Sequence, residues 1–182
     1  MSKHAVVVID LQNEYLPTGK LPLTGIEAAV ANAAKVIADA RANGVPVIHV
    51  RHEFANNEVP AFVPGTDGVK IQDAVAPEAG EPVVLKNYPN AFRETNLKLL
   101  LDERGIESIT MVGAMSHMCV DAAVRGAADM GYAVTVLHDA CATLDLEFGG
   151  VQVPAAQVHA AMMAAFAFGY ASVTSTEQYL AR

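Results

Sequence analysis

The sequence predicts an α/β fold, a three-layer α-β-α sandwich on a six-stranded, mostly parallel sheet. Two observations carry this. Short β-branched runs alternate with longer stretches of helical periodicity along the chain, which is the order that strand-helix-strand units require. The clearest run, Val6-Val7-Val8-Ile9, is apolar on both faces, as in a parallel sheet covered by helices on both sides. The 182 residues, 52% of them hydrophobic, are expected to form one domain spanning 1–182. A chain of this length buries about 70% of its unfolded surface and needs neither disulfide nor metal to hold a core.

Each element has its own reason. Residues 5–9 form the first strand. Over 25–43, Ile26, Ala29, Val30, Ala33, Ile37 and Ala40 recur at helical spacing, and Asn43-Gly44 ends the helix. Residues 45–50 form the second strand. A stretch rich in Pro and Gly follows over 51–80, with room for one short helix; a loop this long in a compact domain is often functional. Residues 82–86 form the third strand, 95–104 a helix closed by Gly105, and 108–112 the fourth strand. A helix over 116–130, closed by Gly131, leads to the fifth strand over 132–138. A helix over 154–168, a short strand over 171–173 and a last helical turn over 176–180 complete the pattern.

Composition excludes several functions. The formal charge is −8, with 12 Lys+Arg against 20 Asp+Glu and no basic run, a poor match to a phosphate backbone. The longest apolar run, residues 160–171, falls short of the roughly 20 residues that span a bilayer. The apolar run near the start is only five residues long, so no secretory leader is expected, the two cysteines match no disulfide spacing, and they are expected to be reduced in a cytoplasmic protein. No nucleic acid, membrane or nucleotide partner is therefore expected, and no glycine-rich phosphate loop or zincin helix occurs.

In open parallel sheets, ligands bind beyond the carboxyl ends of the strands, where strand order reverses. Three reactive side chains fall at such ends: Asp10 after the first strand, Lys86 closing the third and Cys119 shortly after the fourth. Ser116 is expected to cap the following helix, which would place Cys119 in the first turn. There the unpaired amides and the helix dipole lower a thiol pKa and can receive an oxyanion. Cys141 has no such setting and is expected to be structural.

Residues 112–142, from Val112-Gly113-Ala114-Met115-Ser116-His117-Met118-Cys119 to Asp139-Ala140-Cys141-Ala142, resemble the signature of the isochorismatase-like cysteine hydrolases. That superfamily includes nicotinamidases and N-carbamoylsarcosine amidases. Asp10-Leu11-Gln12 and Lys86 with Asn90-Ala91-Phe92 are similar to its aspartate and lysine segments, and Phe62-Val63-Pro64-Gly65-Thr66 to a loop of one branch. The resemblance covers nearly the whole chain and implies a single isochorismatase-like hydrolase domain. It implies a catalytic triad of Cys119, Asp10 and Lys86: the thiol attacks a carbonyl carbon, Asp10 moves the proton, and Lys86 holds the carboxylate. It also implies a cis peptide between Ala114 and Met115, with the Met115 and Cys119 amides forming an oxyanion hole. Gln12, Tyr15, Phe54, Asn90, Phe92 and His117 are the candidate substrate-binding residues.

The metal-binding members of the superfamily carry Asp-x-His after the second strand, whereas this chain has His49-Val50-Arg51-His52, with Val50 at the Asp position. Positions 49 and 52 face opposite sides of a strand, so no metal or other cofactor is expected, and both histidines are expected in core or loop. The expected function is hydrolysis of a C–N bond in a small amide, ureide or carbamoyl compound through a thioester. The alternatives are a vinyl ether hydrolase, which needs an acid rather than a nucleophile, and a non-catalytic binding or redox thiol protein. A homodimer or homotetramer is also expected, because the helix over 154–168 is apolar almost all round.

Overall fold

The computed structural model describes residues 3–55 and 59–181, so residues 56–58 of the long loop lie outside it. At its centre β1 (His4–Ile9) is flanked by β2 (Val47–His52) and β4 (Ser108–Ala114). β3 (Val83–Lys86) extends the sheet beyond β2, and β5 (Ala133–Ala142) and β8 (Ser172–Thr174) extend it beyond β4. The order is β3-β2-β1-β4-β5-β8, every pairing parallel. The expected six-stranded sheet is therefore present, and its order reverses between β1 and β4.

Successive side chains of β1 go to opposite faces, as the strand period requires. Val6 and Val8 pack with Ile26, Val30 and Ile37 of α1 (Ile26–Ala42), and Tyr179 of α5 (Thr176–Leu180) joins them. Val7 and Ile9 pack with Leu97 and Leu101 of α2 (Leu97–Glu103), Val120 and Val124 of α3 (Cys119–Asp129) and Phe166 of α4 (Ala155–Gly169). Three layers result. Within α4 only Ala155, Val158, Met163 and Phe166 are buried, and Phe168 is 95% exposed. No helix among the described residues is long and apolar enough to cross a membrane.

Several elements differ from expectation. β5 runs on to Ala142, taking in Cys141 opposite Gly113 after a register shift between Met111 and Gly113. His138 and Asp139 hide this extension, because two polar residues interrupt the apolar run; Asp139 is there to accept from the Thr176 amide and hydroxyl (2.8 Å each). Gly113 has φ 139°, and a Cβ there would run into the Ile9 carbonyl. An antiparallel hairpin of β6 (Leu146–Phe148) and β7 (Val151–Val153) was not expected, although the Gly149-Gly150 pair between them, both at positive φ, is a strong hairpin turn signal. The long loop holds two short 3₁₀ turns, Asp67–Val69 and Asp73–Val75, and no α-helix among its described residues. The third helix starts at Cys119 with Met118 as its cap residue. Ser116 caps nothing: its hydroxyl lies 2.8 Å from His159 Nδ1 and donates to the Ala142 carbonyl (3.3 Å).

Candidate active site

Sheet order decides which side chains meet. Asp10 leaves β1 and the segment carrying Cys119 leaves β4, so the two flank the switch point. Asp10 adopts φ 52°, a left-handed conformation that Asp tolerates better than most residues. Its amide donates to the Val50 carbonyl (3.0 Å), which keeps the carboxylate beside the end of β2. Lys86 starts two strands away, in register with His52. Its long side chain crosses the end of β2 to reach Asp10.

The Lys86 ammonium is the hub. Nζ lies 2.7 Å from Asp10 Oδ2, and it donates to Cys119 Sγ at 3.2 Å and to His52 Nδ1 at 3.2 Å. The Asp10 carboxylate is wholly buried, and its polar neighbours are the Lys86 ammonium and the Cys119 thiol, both of which act on it as hydrogen-bond partners. Burial raises the Asp10 carboxyl above its usual range against the pull of Lys86. Burial works against the Lys86 charge, but Asp10 and Cys119 outweigh it and hold the amine above its usual value. A standing thiolate, expected from the helix terminus, is not what this setting produces. Burial first, and then the Asp10 charge, push the Cys119 thiol up, against Lys86. The resting arrangement is thus a thiol next to a carboxylate–ammonium pair, with a carboxylate made more basic by its burial.

A buried pair of this kind is costly to break from one side. Lys86→Met would strand the Asp10 charge, so it is expected to lower unfolding free energy by about 3–5 kcal/mol. Adding Asp10→Asn to it is expected to recover much of that loss, since no unpaired charge then remains. Urea unfolding of both variants and the parent chain is the measurement.

His52 was expected in core or loop, and the structure places it in the site. Its ring packs edge-on against Phe54 (4.6 Å between centroids) and Phe62 (5.4 Å). Burial, and then the Lys86 charge, lower its pKa to about 4, so the neutral ring accepts from Lys86 at neutral pH. The unfolded chain, with this group near 6.5, binds the extra proton between the two values. His52 therefore makes stability fall as pH drops from 6.5 towards 4, by a contribution on the order of 3 kcal/mol. His52→Gln, which keeps an acceptor, is expected to lose less stability between pH 7 and 4.5 than the parent chain in urea titrations.

Cys119 and His52 line a cavity of about 350 Å³ together with Tyr15, Phe54, Phe62, Pro89, Met115 and Met118. Of the expected substrate-binding residues, Tyr15 and Phe54 are on this wall; Gln12, Asn90, Phe92 and His117 are not. Gln12 is a buried tie: it donates to the His52 and Val69 carbonyls (2.9 and 2.8 Å) and accepts from the His52 amide (2.7 Å). Asn90 accepts from the Phe92 amide (2.9 Å), and Phe92 stacks on Tyr132. His117 Nδ1 lies 2.6 Å from the Thr143 hydroxyl. Cys141 lines a separate cavity of about 250 Å³ that none of Asp10, Lys86 or Cys119 reaches.

Glu14 is a further residue that sequence reasoning missed. Buried, it accepts from the Lys20 amide (3.0 Å) and the Phe62 amide (3.3 Å), joining two loops that both contribute to the cavity lining. Phe62 is held at φ 53°, an unusual conformation for a bulky residue that persists only where the surroundings fix it. The Ala114–Met115 peptide is cis. Neither the Met115 nor the Cys119 amide donates to a backbone acceptor among the described residues. His49 and His52 do face opposite sides: His49 Nε2 meets Glu81 (3.0 Å), away from Lys86. No group of three His, Cys, Asp or Glu among the described residues could hold a metal ion.

Comparison with known proteins places this geometry. The isochorismatase domain family matches residues 4–178. An uncharacterized isochorismatase family protein of Bacillus subtilis (strain 168), YddQ, is 46% identical over 97% of this chain and 98% of its own. The maleamate amidohydrolase of Pseudomonas putida is 32% identical over 75% of this chain and 71% of its own. A crystal structure from Oleispira antarctica is 53% identical, superposes with a TM-score of 0.95 and covers 98% of this chain and 96% of that one. With a family match across nearly its whole length and the same fold as these relatives, the chain belongs to the isochorismatase family of hydrolases.

Proposed function

We propose that this protein is a cysteine-dependent amidohydrolase that cleaves the C–N bond of a small amide, ureide or carbamoyl compound through a thioester. The observation that carries the reading is the Cys119 thiol at the cavity wall, 3.2 Å from a Lys86 ammonium that is itself 2.7 Å from Asp10. The amidohydrolase activity named for the Pseudomonas putida relative agrees with it.

In this reading Cys119 Sγ attacks the carbonyl carbon as its proton passes to Asp10. The carbonyl oxygen takes the negative charge and is met by the Met115 and Cys119 amides. The intermediate collapses, the C–N bond breaks, and Asp10 returns the proton to the leaving nitrogen. Water then attacks the thioester, Asp10 takes its proton, and the acid leaves with the thiol restored. Lys86 stays charged throughout: it steadies the carboxylate and the developing sulfur charge. Because the resting thiol is protonated, proton transfer accompanies attack rather than preceding it.

The test is an ammonia-release screen over small amides and ureides, with rapid acid quench and intact-mass analysis of the enzyme. The expected result is an adduct on Cys119 equal in mass to the substrate less the ammonia or amine released. Turnover unaffected by alkylation of Cys119 would overturn the reading.

A further inference from the structure

The cavity that receives the carbonyl is almost entirely hydrocarbon. Leu21, Phe54, Ala61, Phe62, Met115 and Met118 supply most of its wall. Among the described residues its polar side chains are Tyr15, Lys20, His52 and Cys119, and no described Asp, Glu, Arg, Asn, Gln, Ser or Thr lines it. His52 offers no charge, because its ring is neutral and already accepts from Lys86. Lys20 lines the cavity but is exposed, so it offers a solvated charge rather than a buried partner. A carboxylate on the substrate would enter this space without a buried partner, which costs far more than an apolar group does.

The other side of Cys119 is closed. Asp10 and Lys86 are buried and do not line the cavity. The nitrogen that Asp10 protonates therefore sits at a sealed end, while the acyl group has the open space. At about 30 Å³ for each water-sized group, 350 Å³ holds about a dozen non-hydrogen atoms. The geometry points to the primary carboxamide of an uncharged, apolar acyl group, aromatic or branched aliphatic, as the substrate. This rests on the amidohydrolase reading above. The reaction takes R–CO–NH₂ and water to the carboxylate and ammonium.

The experiment compares kcat/KM for benzamide, isovaleramide and cyclohexanecarboxamide with that for succinamic acid, N-carbamoylglycine and N-methylbenzamide. The apolar primary amides are expected to exceed the carboxylate-bearing compounds by about 10²-fold and N-methylbenzamide by about 10–200-fold. Met118→Arg, at a half-exposed position on the wall, is expected to shrink the advantage over succinamic acid about tenfold. Preference for succinamic acid or N-carbamoylglycine, with an acyl adduct on Cys119, would overturn the apolar assignment and leave the amidohydrolase reading standing. Failure of all six compounds to turn over or to acylate Cys119 would overturn both.

Discussion

Cys119→Ala is expected to abolish amide turnover, with a loss in kcat on the order of 10⁵–10⁶. The site has no second group to take over the attack. Cys141 opens on another cavity, and the Ser116 hydroxyl is engaged with His159 and the Ala142 carbonyl. In the proposed mechanism, removing the sulfur deletes the acyl-enzyme step, and what survives is whatever the amides and the cavity achieve by holding the substrate. The variant is expected to fold normally, because a partly lined cavity simply grows by one atom and no charge is stranded. Ammonia release against unfolding free energy separates the two effects. Turnover within a hundredfold of the parent would show that the thiol is not the nucleophile.

Asp10→Asn is expected to lower kcat by about 10²–10⁴, the usual contribution of a positioned acid-base group. The effect has two parts. The amide cannot take the thiol proton, and a thiol held above its usual pKa needs that acceptor more than a pre-ionised one would. The Lys86 ammonium also loses its partner in a buried place, so stability is expected to fall as well. A pH–rate profile distinguishes proton transfer from misplacement. Loss of the base should remove the acid limb that a raised Asp10 carboxyl sets in the parent chain, whereas a merely displaced Lys86 would lower the rate and keep the limb.

Much of this was legible in the sequence. Alternating periodicity was sufficient for the sheet, because β-branched runs bounded by Gly and Pro leave little else to form. The positions of Asp10 and Lys86 at strand ends and of Cys119 shortly after the fourth strand were also legible, and the structure brings Asp10 and Cys119 within contact of the Lys86 ammonium. His52 was harder. Its place in the site follows from Lys86 having to cross β2, which depends on strand order, and strand order is not written in local pattern. The direction of the thiol shift was misread for a similar reason. A helix terminus is visible in sequence, but the burial that outweighs it belongs to the assembled fold. Asn90 and Phe92 share the lysine segment's neighbourhood in sequence, yet Pro89 is the residue that turns inward. Glu14 reads as an ordinary acidic residue until two loops, far apart in the chain, deliver their amides to it.

Asp10 and Lys86 are set by strand ends and Cys119 by the helix that follows β4, while part of the cavity wall, around Leu21, Ala61 and Phe62, is carried by loops that Glu14 ties together. Chemistry and selectivity are thereby inherited on different parts of the chain. Substitutions around Leu21, Ala61 or Phe62 reshape what is admitted without disturbing the hydrogen-bonded strands that aim Asp10 and Lys86. A lineage carrying this architecture can change its diet by accumulating small changes in two loop segments, keeping one reaction through many substrates. Glu14 sets the boundary of that freedom, because its loss would release both loops at once.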